Sequence, residues 1–335
     1  MLTRSGTISL VRRSTLLALV LAVATGGPTH GGVRASNAVV DCNADSAALA
    51  SAIADAAPGE TLNVSGACVG SFQISTDLTL VGRPSATLDG NDATRVLTVG
   101  SGAAVTLTNV VVTRGRNVIG GGLLIDGGDV TLNGNSAVAM NVSTWFGGGV
   151  VVISGSLTLD GNATVSGNSG DWGGGIFNSG TVTLNGDSTV TANSAVGPLV
   201  RAGGGIVNAT QGTVRMNGNS TVAGNFARSG AGISSFGLSL TLSGNARVTG
   251  NTATGDGGGI YSSGAVSLDG NANVSGNSAS RGGGVYNYHT TVALSGHSAV
   301  WGNVATDVGG GIFNESGTVV GSSRVYANTP DDIAP

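Results

Sequence analysis

Residues 257–285 read GGGIYSSGAVSLDGNANVSGNSASRGGGV. A glycine triplet opens the stretch and another nearly closes it. Between them lie three short apolar patches: Ile260, the pair Val266 and Leu268, and the lone Val274. Each alternates with polar residues, the period of a strand with one face turned inward. No patch is long enough for a helix. Hairpins would need an even strand count and a tight turn at each reversal. Three strands and three turns in about 27 residues instead make one lap of a parallel coil.

The same unit recurs. Triplets begin at Gly120, Gly147, Gly173, Gly203, Gly257, Gly282 and Gly309, with Gly230-Ala231-Gly232 as a degenerate copy. An aliphatic residue follows each: Leu123, Val150, Ile176, Ile206, Ile233, Ile260, Val285 and Ile312. Later in each lap comes a lone valine, from Val138 and Val165 through to Val300 and Val325. Asparagine closes it at Asn141, Asn168, Asn193, Asn225, Asn251, Asn277, Asn303 and Asn328. Laps stacked at the strand spacing of about 4.8 Å bring these asparagines into register, so their amides form a ladder. N-glycosylation is the competing reading, because Asn141 and Asn219 stand in N-x-S/T triplets. Eight such laps, with two or three less regular ones upstream, give a rod of roughly 50 Å.

Composition agrees with a packed structure. The chain has 60 Gly but only 6 Pro in 335 residues, and no Gly-x-y period, which excludes collagen. All 14 basic residues are Arg, and the formal charge of −4 drops to near −7 once Arg4, Arg12 and Arg13 are removed. Such a surface offers no electrostatic reason to bind nucleic acid or anionic lipid.

Those three arginines precede an apolar run of ten, residues 15–24, which ends in Ala22-Val23-Ala24. This reads as a removed signal peptide over 1–24, with a loose twin-arginine match at Arg12-Arg13. The run is too short to span a bilayer, and no membrane span is expected in the mature chain. Residues 25–116 then form an N-terminal cap with irregular coils, and 117–335 the regular repeats, as one continuous domain. Within the cap, Leu49 and Ile53 lie on one face of a short helix over 46–57, which Pro58-Gly59 stops. Strands are expected at Thr61–Val64, Leu78–Val81, Val96–Val99 and Val105–Val112. Cys42 and Cys68, the two cysteines of an exported chain, read as a disulfide. At the other end Pro330-Asp331-Asp332 makes a thin cap.

The unit V-x-x-N-x-A followed by GGGI, as in Val274–Ala279 with Gly282–Val285, resembles the repeats of polymorphic outer-membrane proteins, with their GGAI and FxxN motifs. The chain has Val where that family has Phe, and Gly where it has Ala. The resemblance covers about residues 117–328. The helix, the cysteine pair and the first laps resemble the N-terminal region of bacterial pectin-lyase-like β-helix proteins. Both resemblances imply an all-β, right-handed parallel β-helix with a short capping helix, an extracellular or cell-surface location, and adhesion or polysaccharide handling.

The search for chemistry yields little. Asp160 and Asp269 share a turn column with Asn133, Asn185, Asn217, Ser243 and Ser295. Asp187 shares the next with asparagines and His297, so these aspartates read as turn residues. His289 and His297 lack a third metal ligand. Asp171, Arg201, Asp256, Arg281 and Asp307 precede the glycine triplets and read as solvated loop charges. The longest of these loops runs from Asn193 to Gly203 and carries Pro198 and Arg201. No catalytic residue, metal or cofactor is assigned.

An aromatic column is more informative. Phe177, Tyr261, Tyr286 and Phe313 each follow the inward aliphatic residue, so alternation points them outward, about 4.8 Å apart where laps are adjacent. They are expected to stiffen the sheet or to form a flat platform for sugar rings or a partner protein, extended by Trp145 and Trp172. The reading is a non-catalytic secreted or surface β-helix, presenting a repetitive face to an extracellular polysaccharide or a surface protein. A polysaccharide lyase or glycoside hydrolase with an unlocated site is the second reading, and a structural spacer the third.

Overall fold

The computed structural model describes residues 37–196 and 202–335. The leader read at 1–24, and Pro198 and Arg201 of the long loop, lie outside them. The chain from Asn37 onward is a parallel β-solenoid of about 11 turns. Every strand pair is parallel and one lap apart. Ile206, Ile233, Ile260, Val285 and Ile312 are successive register partners. So are Val214, Leu240, Val266 and Val292 on the second strand, and Val222, Val248, Val274, Val300 and Val325 on the third. These three columns fill one continuous apolar core.

The regular laps differ from expectation in having a fourth strand of two to five residues, which from Asn141 to Asn303 follows the closing asparagine, as in Thr252–Ala253 and Ser278–Arg281. These stack into a separate sheet of eight strands. Alternation fails to reveal them because they span few residues and bury small ones, mostly alanine. Ala195, Ala227, Ala231, Ala253 and Ala279 form their own small cluster.

The closing asparagines form the expected ladder. In each of seven links the side-chain Nδ2 donates to the Oδ1 of the next asparagine, at 2.9–3.1 Å. The same Oδ1 also accepts from the backbone N–H of the previous asparagine. Asn141 is fully buried in this ladder, which removes it as a glycan acceptor. At the top, Asp332 Oδ1 accepts from both the N–H and Nδ2 of Asn328, acting as the next asparagine would. Asp331 accepts from Gly309 and Gly310, and Ile333–Ala334 pairs with Ile312–Phe313, so the acidic C-terminal segment satisfies edge groups by specific bonds.

At the other end, helix Ala48–Asp55 lies over the first laps, with Leu49 buried and Ile53 packed on the core. Strand Asn37–Asp41, absent from the expected set, pairs with Glu60–Val69. Cys42 and Cys68 are disulfide-bonded across 26 residues. Closing a loop of that length restricts the unfolded chain by roughly 3 kcal/mol. The paired substitution Cys42→Ser and Cys68→Ser should therefore lower the urea-unfolding free energy of the N-terminal laps by about that amount. An unchanged midpoint would mean that the helix and packing alone hold this end.

A candidate aromatic groove

The residue after each inward aliphatic one forms a column in register: Val151, Phe177, Val207, Ser234, Tyr261, Tyr286 and Phe313. Ring centroids are 5.0 Å apart for Tyr261 and Tyr286, and 5.1 Å for Tyr286 and Phe313, close to the lap spacing. The expected flat platform is not what these rings build. Tyr261 and Tyr286 are inclined by only 12°, so they stack on one another and turn their edges outward. Nor is the column open: Tyr286 is 3% exposed, and Phe177, Tyr261 and Phe313 are half-buried.

A second stack beside the column accounts for this covering. Phe146, Trp172, Ala202 and Ser229 pair in succession just before the glycine triplets, as Asp256 and Arg281 do. The side chains of Phe146, Trp172 and Arg281 lie against the column. Phe146 lies 4.6 Å from Phe177, and the Arg281 guanidinium lies 5.1 Å from the Tyr286 ring and 5.2 Å from Phe313. Cation–π attraction favours that placement. Arg281 also grips Asp256 through Nε and Nη2, at 2.8 and 3.0 Å, and this bond raises its pKa. Burial, together with the hydrogen bond it donates to Glu315, pushes the Tyr286 phenol well above the ordinary range.

The solvated-charge reading thus needs correction at three positions. Asp256 and Arg281 are paired, and Asp171 is only 1% exposed. Asp307 is exposed, as expected, and Arg201 lies outside the described residues. The sequence gives charge but not the way each loop folds back onto the neighbouring lap.

The rings form one chain of contacts. Trp145 stacks on Phe146, Phe146 meets Trp172 and Phe177, and Trp172 reaches Phe236 at 6.1 Å. Phe236 in turn contacts Tyr261 at 5.8 Å. Thus Trp145, Trp172, Phe177, Tyr261, Tyr286 and Phe313, proposed from sequence, are brought together in one run of ring contacts. Phe236 was missed. It stands two residues after Ser234, where the column lacks a ring, and that displaced aromatic was the available signal.

Two hollows flank Phe236. One, of about 300 Å³, is lined by Ala202, Arg228, Ser229, Ser234, Phe236, Gly255, Asp256 and Tyr261. The other, of about 380 Å³, is lined by Trp172, Ala209, Thr210, Phe236 and Ser263. Buried Ser234 Oγ and Trp172 Nε1 make no hydrogen bond.

The turn aspartates have structural partners. Asp187 Oδ1 accepts from Asn219 Nδ2 at 2.9 Å, within an exposed ladder that also links Asn135 to Asn162 and Asn219 through Asn245 to Asn271. Asp269 accepts from the Gly270 N–H and the Ser295 hydroxyl, which lower its pKa. His289 and His297 are exposed, and no group of three or more metal-ligating side chains occurs among the described residues.

Residues 239–263 match the model of the Chlamydia polymorphic membrane protein repeat. They comprise one full lap, from strand Ser239–Leu242 through Asn251 and the Gly257 triplet to strand Ile260–Ser262. This is a β-helix repeat protein. The comparisons with curated proteins and with solved structures find no match. Among the described residues no helix is long and apolar enough to cross a membrane.

Proposed function

We propose that this repeat protein is a surface-associated, non-catalytic adhesion module whose aromatic groove holds a protein partner. The observation that carries the reading is the run of ring contacts from Trp145 to Phe313, flanked by two hollows beside Phe236. Aromatic and arginine side chains around a concavity are what protein interfaces concentrate at their energetic centres. The exposed Arg228 lines the hollow, and Leu238, 66% exposed, and the exposed Phe226 lie close in sequence to that lining. The cell-surface location rests on the repeat match and the export-type leader. The non-catalytic reading rests on the hollow's chemistry. Asp256 is the one carboxylate in its lining, and Arg281 engages both its oxygens, whereas glycoside hydrolysis uses two carboxylates.

A saccharide is the second reading, favoured by Trp145, which is 46% exposed and stacked on Phe146. Beads coated with the full chain, applied to cell layers, separate the two. Attachment should fall about tenfold with Trp172→Ala and Phe236→Ala combined, and equally after the cells are stripped by protease. Attachment that survives protease but not periodate would transfer the groove to a saccharide. Equal attachment by the variant would sink the groove reading.

A further inference from the structure

We infer that the break in the aromatic column at Ser234 is a socket for one aromatic side chain of a protein partner, flanked in that partner by acidic residues. This rests on the adhesion reading and names what the groove takes. The molecule supplies its own template. Tyr286 sits between the rings of Tyr261 and Phe313, with the Arg281 guanidinium 5.1 Å from its centroid. At the Gly230 lap the register partner of Tyr261 is the buried Ser234, and Val207 precedes it, so no column ring stands there and Phe236 meets Tyr261 instead, at 5.8 Å. Tyr261 bounds the hollow on one side and Phe236 on another, and Arg228 stands in the lining.

The volume of about 300 Å³ lies at the lower end of ligand pockets, suited to a single side chain rather than a large molecule. A ring entering there gains stacking of the kind the neighbouring laps already use. Charge chooses the flanking residues. Asp256 is neutralised by Arg281. Arg228 is exposed and forms no ion pair among the described residues, so the lining's unbalanced charge is positive. Acidic neighbours of the ring would meet it.

Three short peptides test this, each acetylated and amidated: Glu-Tyr-Glu, Glu-Leu-Glu and Lys-Tyr-Lys, titrated into the full chain. The expected result is that Glu-Tyr-Glu binds at least about fivefold more tightly than either of the others. Ser234→Tyr, which completes the column from within, should weaken it at least about tenfold. Arg228→Gln should abolish the preference for Glu over Lys flanks. Ser234→Val copies Val207 of the preceding lap and serves as a second, smaller filling variant, with circular dichroism to confirm the fold. Equal binding of the Leu peptide, no binding of any peptide, or indifference to both Ser234 variants would overturn the socket. If the peptides fail while bead attachment still depends on Trp172 and Phe236, the socket is wrong and the groove reading stands. If attachment ignores those residues, the groove reading itself falls.

Discussion

Asn251→Ala should cost about 4 kcal/mol of unfolding free energy, more than any surface substitution on the solenoid. The Asn251 side chain makes five hydrogen bonds in a fully buried position. Its Oδ1 accepts from the backbone N–H and Nδ2 of Asn225, and its Nδ2 donates to Asn277 Oδ1, Val222 O and Thr249 O. Truncation leaves the buried Asn225 N–H without an acceptor and takes a donor from two carbonyls. Each such group costs about 1–3 kcal/mol when water cannot reach it. The damage is shared by adjacent laps, and repeat arrays depend on nearest-neighbour contacts. Urea unfolding should therefore show a lower first midpoint and a transition that splits near the Gly230 and Gly257 laps. Asn328→Ala, at the partly exposed end of the ladder, should cost about 1 kcal/mol. Equal effects at the two positions, or a loss below about 1 kcal/mol at Asn251, would show that the ladder does not hold the stack together.

The asparagines explain why so much of the fold was legible. A solenoid repeats each physical requirement at every lap, so Asn at the corner, Gly before the inward aliphatic residue and Val on the third strand each appear about eight times. Requirements met by different residues in different laps left no such trace. The short fourth strand buries Ala227, Ala253 and Ala279, which look unremarkable in sequence. A third ladder links Asn178 to Asn208 and Asn208 to Ser235, while Asn287 bonds Asn314. Its irregular mixture of Asn and Ser hid it. The groove was half legible for the same reason. Alternation correctly placed Tyr261, Tyr286 and Phe313 outside the core, but says nothing of ring inclination or of the loop that covers them. Whether rings face one another or face solvent depends on χ angles and on Arg281 from the adjoining loop, and neither has a period.

Gly257→Val should be as damaging as the loss of Asn251, at about 4 kcal/mol, for two reasons that add. Gly257 has φ +67°, where a β-branched side chain is strained. A Cβ there would also lie 2.5 Å from the Ile260 carbonyl oxygen and 2.8 Å from the Tyr261 nitrogen. Both atoms belong to the turn that Gly257 itself opens, so sliding one lap over another cannot relieve the overlap. The adjacent position provides the control. A Cβ on Gly258 would approach the carbonyl oxygens of Gly283 and Ser278 at 2.4 and 2.5 Å, apparently as severe a clash. Those oxygens belong to the next lap, which can shift, and the Gly230 lap carries a fully buried Ala231 at the same place. Gly258→Ala should accordingly cost less than half as much as Gly257→Val, measured by urea unfolding of the two variants side by side. The reverse order would mean that contact between laps, rather than the left-handed turn within a lap, fixes the triplet.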